Sequence, residues 1–147
     1  MKKFLIFICI AIFCFAGMIA IQSYSSEQKT VPTIKSKPLT NAFLSQNIPI
    51  IDIRTESEWR ETGVIPQSHL ITFYKEDQTY NEKEFLETLA TVVKKDDTFV
   101  ILCRSGNRSL KVTNFLFSKG YSHVINLSGG IKEAMKNGVN TVAYQHP

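Results

Sequence analysis

Short apolar runs alternating with helical stretches constrain this chain more than any other feature. Pro49 to Ile53, Thr98 to Leu102 and His123 to Leu127 are β-branched or aliphatic almost throughout, with no polar alternation. A strand of that kind must be buried on both faces, which a parallel sheet between two layers of helices provides. Thr33 to Ser36 and Leu70 to Phe73 supply two more strands, making five. Between them, Leu39, Phe43 and Leu44 fall at helical spacing, and Thr55-Glu-Ser-Glu58 reads as a capping box opening a helix that stops at Gly63. Asn81 with Glu84 opens a longer helix, whose stripe of Phe85, Leu86, Leu89, Val92 and Val93 runs to Lys94 and Lys95. Val112, Phe115 and Leu116 mark a helix ended by Gly120, and a final helix spans about Ile131 to Asn137. Strands joined by helices of this length predict an α/β fold: a mainly parallel five-stranded sheet with helices on both faces. The 147 residues suffice for one such domain and an appendage.

The appendage is N-terminal. Phe4 to Ile21 is uninterrupted by charge, follows Lys2 and Lys3, and precedes the polar run Gln22 to Lys29. This pattern predicts an export segment over residues 1–25, either a cleaved signal peptide or a retained membrane anchor through residues 4–21. Ser23 and Ser25 suit cleavage before Ser26. Residues 26–32 are then a polar tether and residues 33–147 the domain. Either form places the domain outside the cytoplasm, in the periplasm or on the outer face of the cytoplasmic membrane. The formal charge of +4 includes the two N-terminal lysines, and without them 15 basic residues face 13 acidic ones. That surplus is too small for a nucleic-acid partner.

Of the three cysteines, Cys9 and Cys14 lie inside the apolar segment, so the exported domain holds Cys103 alone. It has no disulfide partner and is either inert and buried or chemically used. Its surroundings favour use. Cys103 follows directly on a buried strand, at the carboxyl end where open α/β sheets place their ligands. Gly106 permits a tight loop leading into a helix, which turns backbone N–H groups inward as an anion nest. Arg104 and Arg108 add positive charge, so the loop favours a thiolate. His69, His123 and His146 lack metal-ligand spacing, and Trp59 and the phenylalanines read as core.

Cys103-Arg-Ser-Gly-Asn-Arg-Ser109, entered from an apolar strand, resembles the active-site loop of the rhodanese, or thiosulfate sulfurtransferase, family. Ile51-Asp-Ile-Arg54, Glu58-Trp59 and Gly63-Val-Ile-Pro66 resemble that family's first signature, and Asn126-Leu-Ser-Gly-Gly-Ile131 its closing segment. The similarity spans about residues 33 to 143, and the export segment points to the small single-domain rhodaneses of the bacterial periplasm. Val64 and Gln67 stand where the family usually has His and Gly, and Ala134 and Met135 where an aromatic is common.

The resemblance implies a rhodanese-like fold in which Cys103 takes a sulfane sulfur from thiosulfate or a similar small anion. Cys103 would hold it as a persulfide and pass it to a thiol or cyanide-like acceptor, with no metal or cofactor. Arg104, Ser105, Gly106, Asn107, Arg108 and Ser109 are the expected substrate-binding loop, and Asp52 and Arg54 its supports from a neighbouring strand. Two alternatives stand beside this: a persulfide carrier or binding module without turnover, and a thiol-based phosphatase or arsenate reductase. The latter enzymes place five residues between Cys and Arg, whereas four separate Cys103 from Arg108.

Overall fold

The computed structural model describes residues 34–145, so the expectations for the export segment, the tether and His146 lie outside the described residues. Among the described residues, five strands alternate with five helices: β1 (Lys35–Pro38), α1 (Asn41–Leu44), β2 (Ile50–Asp52), α2 (Glu56–Thr62), β3 (His69–Leu70), α3 (Glu82–Ala90), β4 (Phe99–Leu102), α4 (Asn107–Ser118), β5 (Val124–Ser128) and α5 (Gly130–Lys136). The strands form one sheet in the order β1-β5-β4-β2-β3, and every ladder is parallel. The fold is the expected α/β architecture. The apolar strands take the centre, with β4 between β5 and β2, and the less apolar β1 and β3 take the edges.

Strand alternation divides the core into two layers. Ile51, Ile53, Phe99, Ile101, Cys103 and Val124 face one side, where Phe85 and Leu89 of α3 and Val112 and Leu116 of α4 cover them. Ile50, Val100, Leu102, Ile125 and Leu127 face the other, against Phe43 of α1 and Ile131 and Ala134 of α5. Each fully buried aliphatic side chain contributes about 1.5–3 kcal/mol of transfer free energy. The central strands are thus held from both faces.

Helix starts follow the sequence signals. The Thr55 side chain accepts from the Glu58 N–H while the Glu58 carboxylate takes the Thr55 N–H, and the Asn81 side chain accepts from the Glu84 N–H. Helix α3 is shorter than its apolar stripe predicts, ending at Ala90 instead of running to Lys95. The Val93 and Val92 N–H groups both turn back to the Leu89 carbonyl, and Asp97 takes the Lys94 N–H at 2.8 Å. The chain therefore leaves the helix early while Val93 still reaches the core. At the edges, β1 runs past the expected Ser36 and ends at Pro38, a residue suited to an edge strand because it has no N–H to donate, while Thr33, where the strand was expected to begin, lies outside the described residues. Ladder pairing in β3 covers only His69 and Leu70, although the Ile71 and Phe73 N–H groups still bond to Asp52 and Ile53 carbonyls. No helix among the described residues is long and apolar enough to cross a membrane.

Candidate active site

Cys103 is the first residue beyond β4, in phase with Phe99 and Ile101, so its side chain points under the start of α4. It is fully buried. Its Sγ accepts hydrogen bonds from the Gly106 N–H at 3.1 Å and the Ser109 N–H at 3.3 Å, and the Ser109 hydroxyl lies 3.3 Å away. The first helical bond of α4 runs from the Leu110 N–H to the Gly106 carbonyl. The Ser109 N–H, like those of Asn107 and Arg108, thus belongs to a first turn that no intrahelical carbonyl satisfies. The helix dipole adds positive potential at the same place.

The loop holds this shape because α5 takes its carbonyls. The Ile131 N–H donates to the Cys103 carbonyl at 2.9 Å and the Lys132 N–H to the Arg104 carbonyl at 3.2 Å. With those carbonyls drawn to α5, the loop keeps its N–H groups for the sulfur. The approach is close enough to require glycine. A Cβ on Gly130, at φ +57°, would lie 2.3 Å from the Cys103 carbonyl oxygen, and one on Gly106, at φ +89°, would lie 2.8 Å from the Gly129 nitrogen.

The arginines are placed differently from the simplest reading of their proximity. Arg104 pairs with Glu61 at 3.2 Å on an exposed part of α2, and Arg108 pairs with Glu58 at 2.6 Å in a half-buried position. Burial works against the Glu58 carboxylate, but hydrogen bonds from Arg108 and the Thr55 N–H, with the charges of Arg108 and Arg54, outweigh it and hold the carboxyl below its ordinary value of 4.5. Burial likewise opposes the Arg108 charge. The Glu58 hydrogen bond and carboxylate, joined by Cys103 and Asp52, push that guanidinium above its ordinary value. Nothing in the local sequence pattern marks Glu58 and Glu61 as partners of the loop arginines. The available signal goes no further than their i, i+3 spacing on one face of α2, and the fact that a capping box occupies only one of the two Glu58 oxygens.

Asp52 and Arg54 form a fully buried ion pair, with Arg54 Nη2 2.7 Å and Nε 2.9 Å from the carboxylate oxygens. The remaining Arg54 donors go to Thr62 Oγ1 at 2.6 Å, the Gly63 carbonyl at 2.9 Å and the Glu58 carbonyl at 3.3 Å. Their hydrogen bonds hold α2, the helix that presents Glu58 and Glu61 to the loop arginines, and reach the loop only through it. Ser105 and Asn107 lie on the loop's outer side, exposed where Gly106 and Ser109 are buried. Asn126, quoted above only as part of a closing segment, is buried beside the sulfur and accepts from the Ser109 hydroxyl at 2.6 Å. The pattern signal for it was a polar residue in phase with Val124 on a buried strand, which needs an interior partner.

A family model described as rhodanese-like domain matches residues 37–137. The chain is 30% identical over 108 residues to "Protein HIGH ARSENIC CONTENT 1, mitochondrial" of Arabidopsis thaliana, covering 71% of this chain and 64% of that protein, so it spans less than two thirds of that relative's length. It is also 30% identical over 114 residues to "Thiosulfate sulfurtransferase 18" of the same plant, covering 74% of this chain and 83% of the relative. A crystal structure of a rhodanese-like domain protein from Staphylococcus aureus shares the fold, with a TM-score of 0.52 at 23% identity over 74% of this chain and 99% of the other. A parallel sheet presenting Cys103 from the end of its central strand, matched along almost the whole described domain, places the chain in the rhodanese-like domain family.

Proposed function

We propose that the protein is a sulfurtransferase that moves a sulfane sulfur from thiosulfate, or a similar small anion, to a thiophilic acceptor through a Cys103 persulfide. The observation that carries this reading is the sulfur's setting: a buried Sγ taking two backbone N–H groups inside a loop with four residues between Cys103 and Arg108. The Cys103 thiolate attacks the outer sulfur of thiosulfate, a new S–S bond forms, and the bond to the sulfonate sulfur breaks with its electron pair leaving on sulfite. A thiol or cyanide acceptor then attacks the terminal sulfur and returns the thiolate. Backbone donors fixed in advance stabilise the anionic sulfur at both stages without reorganising. A phosphoryl group needs donors for three equatorial oxygens around an in-line thiolate, and a loop one residue shorter than that of the thiol phosphatases disfavours this chemistry.

A second reading, persulfide carriage without turnover of a small donor, draws support from one observation. Both loop arginines already face carboxylates, so a dianionic donor meets two neutralised guanidinium groups. Incubation with thiosulfate followed by intact-mass measurement tests the shared step, since one added sulfur is expected on the wild type and none on Cys103→Ser. Steady-state thiocyanate production from thiosulfate and cyanide separates the two readings. No added sulfur from any sulfane donor overturns both.

The apolar run from Phe4 to Ile21 behind Lys2 and Lys3 supports export as the setting for this activity. A reporter active only in the cytoplasm, fused after Pro147, is expected to be silent.

A further inference from the structure

The Ser109 hydroxyl has one proton and three acceptors within reach. Asn126 Oδ1 lies at 2.6 Å, the Gly106 carbonyl at 3.0 Å and Cys103 Sγ at 3.3 Å. The shortest contact goes to Asn126, whose amide is oriented from its far side: Nδ2 donates to Ser36 Oγ on the edge strand β1 at 3.1 Å. That bond turns Oδ1 toward Ser109. Cys103 and Ser109 are fully buried and Asn126 is 4% exposed, so the three groups compete chiefly with one another. In such a cluster a proton given to one acceptor is withheld from another, and a sulfur anion is a stronger acceptor than an amide oxygen.

We propose that Asn126 is a positioning residue that competes with the Cys103 sulfur for the Ser109 proton. While Cys103 is a thiol, its S–H donates to Ser109 Oγ and Ser109 donates to Asn126. When the thiol proton leaves to solvent, the Ser109 hydroxyl turns and donates to the sulfur, keeping its own proton throughout. Asn126 thereby moderates how strongly the loop stabilises the sulfur anion, through Ser109 and not by contact with the sulfur. The inference rests on Cys103 being the reacting group of the proposed sulfur transfer. The charged groups on the elements that carry and pack against the cluster are Arg104 and Arg108 of the loop, the Asp52–Arg54 pair at the end of β2, Glu58 and Glu61 on α2, Lys132 and Glu133 on α5, and Lys35 and Lys37 flanking Ser36 on β1. None is altered by the variants below.

The test is the pH profile of Cys103 alkylation by iodoacetamide in the wild type, Ser109→Ala, Asn126→Ala and the double variant. Loss of a donor to the anion in Ser109→Ala raises the midpoint by about one pH unit, and release of the Ser109 proton in Asn126→Ala lowers it by roughly half a unit. In the Ser109→Ala background, Asn126→Ala has no further effect. An upward shift in Asn126→Ala, no shift, or an equal shift in both backgrounds overturns the proposal. A measurement on the unmutated protein guards against variants that fold poorly: the Asn126 Cγ carbon resonance should titrate with the alkylation midpoint. A flat resonance across that range overturns the proposal equally. Alkylation reads the thiol alone, so the expected pattern in a protein that takes no sulfur from thiosulfate would uphold the competition and remove the activity.

Discussion

At the scale of single residues, the site is built less from charges aimed at the sulfur than from backbone donors aimed at it and charges that cancel at its rim. Glu58 serves two ends at once, capping α2 through the Thr55 N–H and pairing with Arg108. Replacing it by Gln keeps a capping side chain of the same shape and removes only the ion pair. Its carboxyl titrates lower in the folded protein than in the unfolded chain, so the pair's contribution is full above the ordinary value of 4.5 and fades as the pH falls through the folded value. Glu58→Gln is therefore expected to lower stability by about 1 kcal/mol at pH 7, with the two thermal unfolding curves converging as the pH falls through the lowered value of the folded carboxyl. A difference that persists unchanged in acid would mean that Gln disturbs the cap.

At the scale of elements, two contacts set the loop: the N-terminus of α5 against its carbonyls, and α2 against its arginines. Gly130→Ala inserts a methyl group 2.3 Å from the Cys103 carbonyl oxygen at a left-handed backbone position, so either the loop or α5 must move. The expected result is a loss of roughly 2 kcal/mol or more, with sulfur transfer lost at temperatures where the domain is still folded by circular dichroism. Helix α2 depends on the Asp52–Arg54 pair. Arg54→Met leaves Asp52 charged and buried without its partner, which is expected to cost about 3–5 kcal/mol in urea unfolding. Replacing both, as Asp52→Leu with Arg54→Met, should recover a large part of that loss, because the desolvated charge is gone as well. Failure to recover would show that the Arg54 bonds to Thr62 and Gly63, and not the ion pair, fasten α2.

At the scale of the whole molecule, the sheet order puts β4 at the centre, so a loop at its carboxyl end is closed from both sides, by β5 and α5 on one and by β2 and α2 on the other. That enclosure makes loop length matter. One glycine inserted after Gly106 should separate the Gly106 and Ser109 N–H groups from a shared sulfur and lower sulfur transfer by about tenfold or more, while thermal unfolding stays cooperative. Retained activity in the insertion variant would show that the loop is not shaped around one sulfur atom. Much of this arrangement is legible in the sequence. Apolar β-branched runs between helical stretches dictate a parallel sheet covered twice, since a strand without a polar face can be satisfied nowhere else. Cys103 directly after such a run, followed by Gly106 and a helix, dictates a sulfur at a helix N-terminus. What only the tertiary structure decided is which groups meet across that sequence distance. Glu58 and Glu61 reach Arg108 and Arg104 because Arg54 fastens α2 beside the loop, the end of α3 is set by where Val93 must enter the core, and Asn126 meets Ser109 because parallel pairing brings β5 alongside β4. Local propensity and period fix elements, but the partner of a buried polar group is chosen by packing between segments far apart in the chain, and no local pattern encodes that choice.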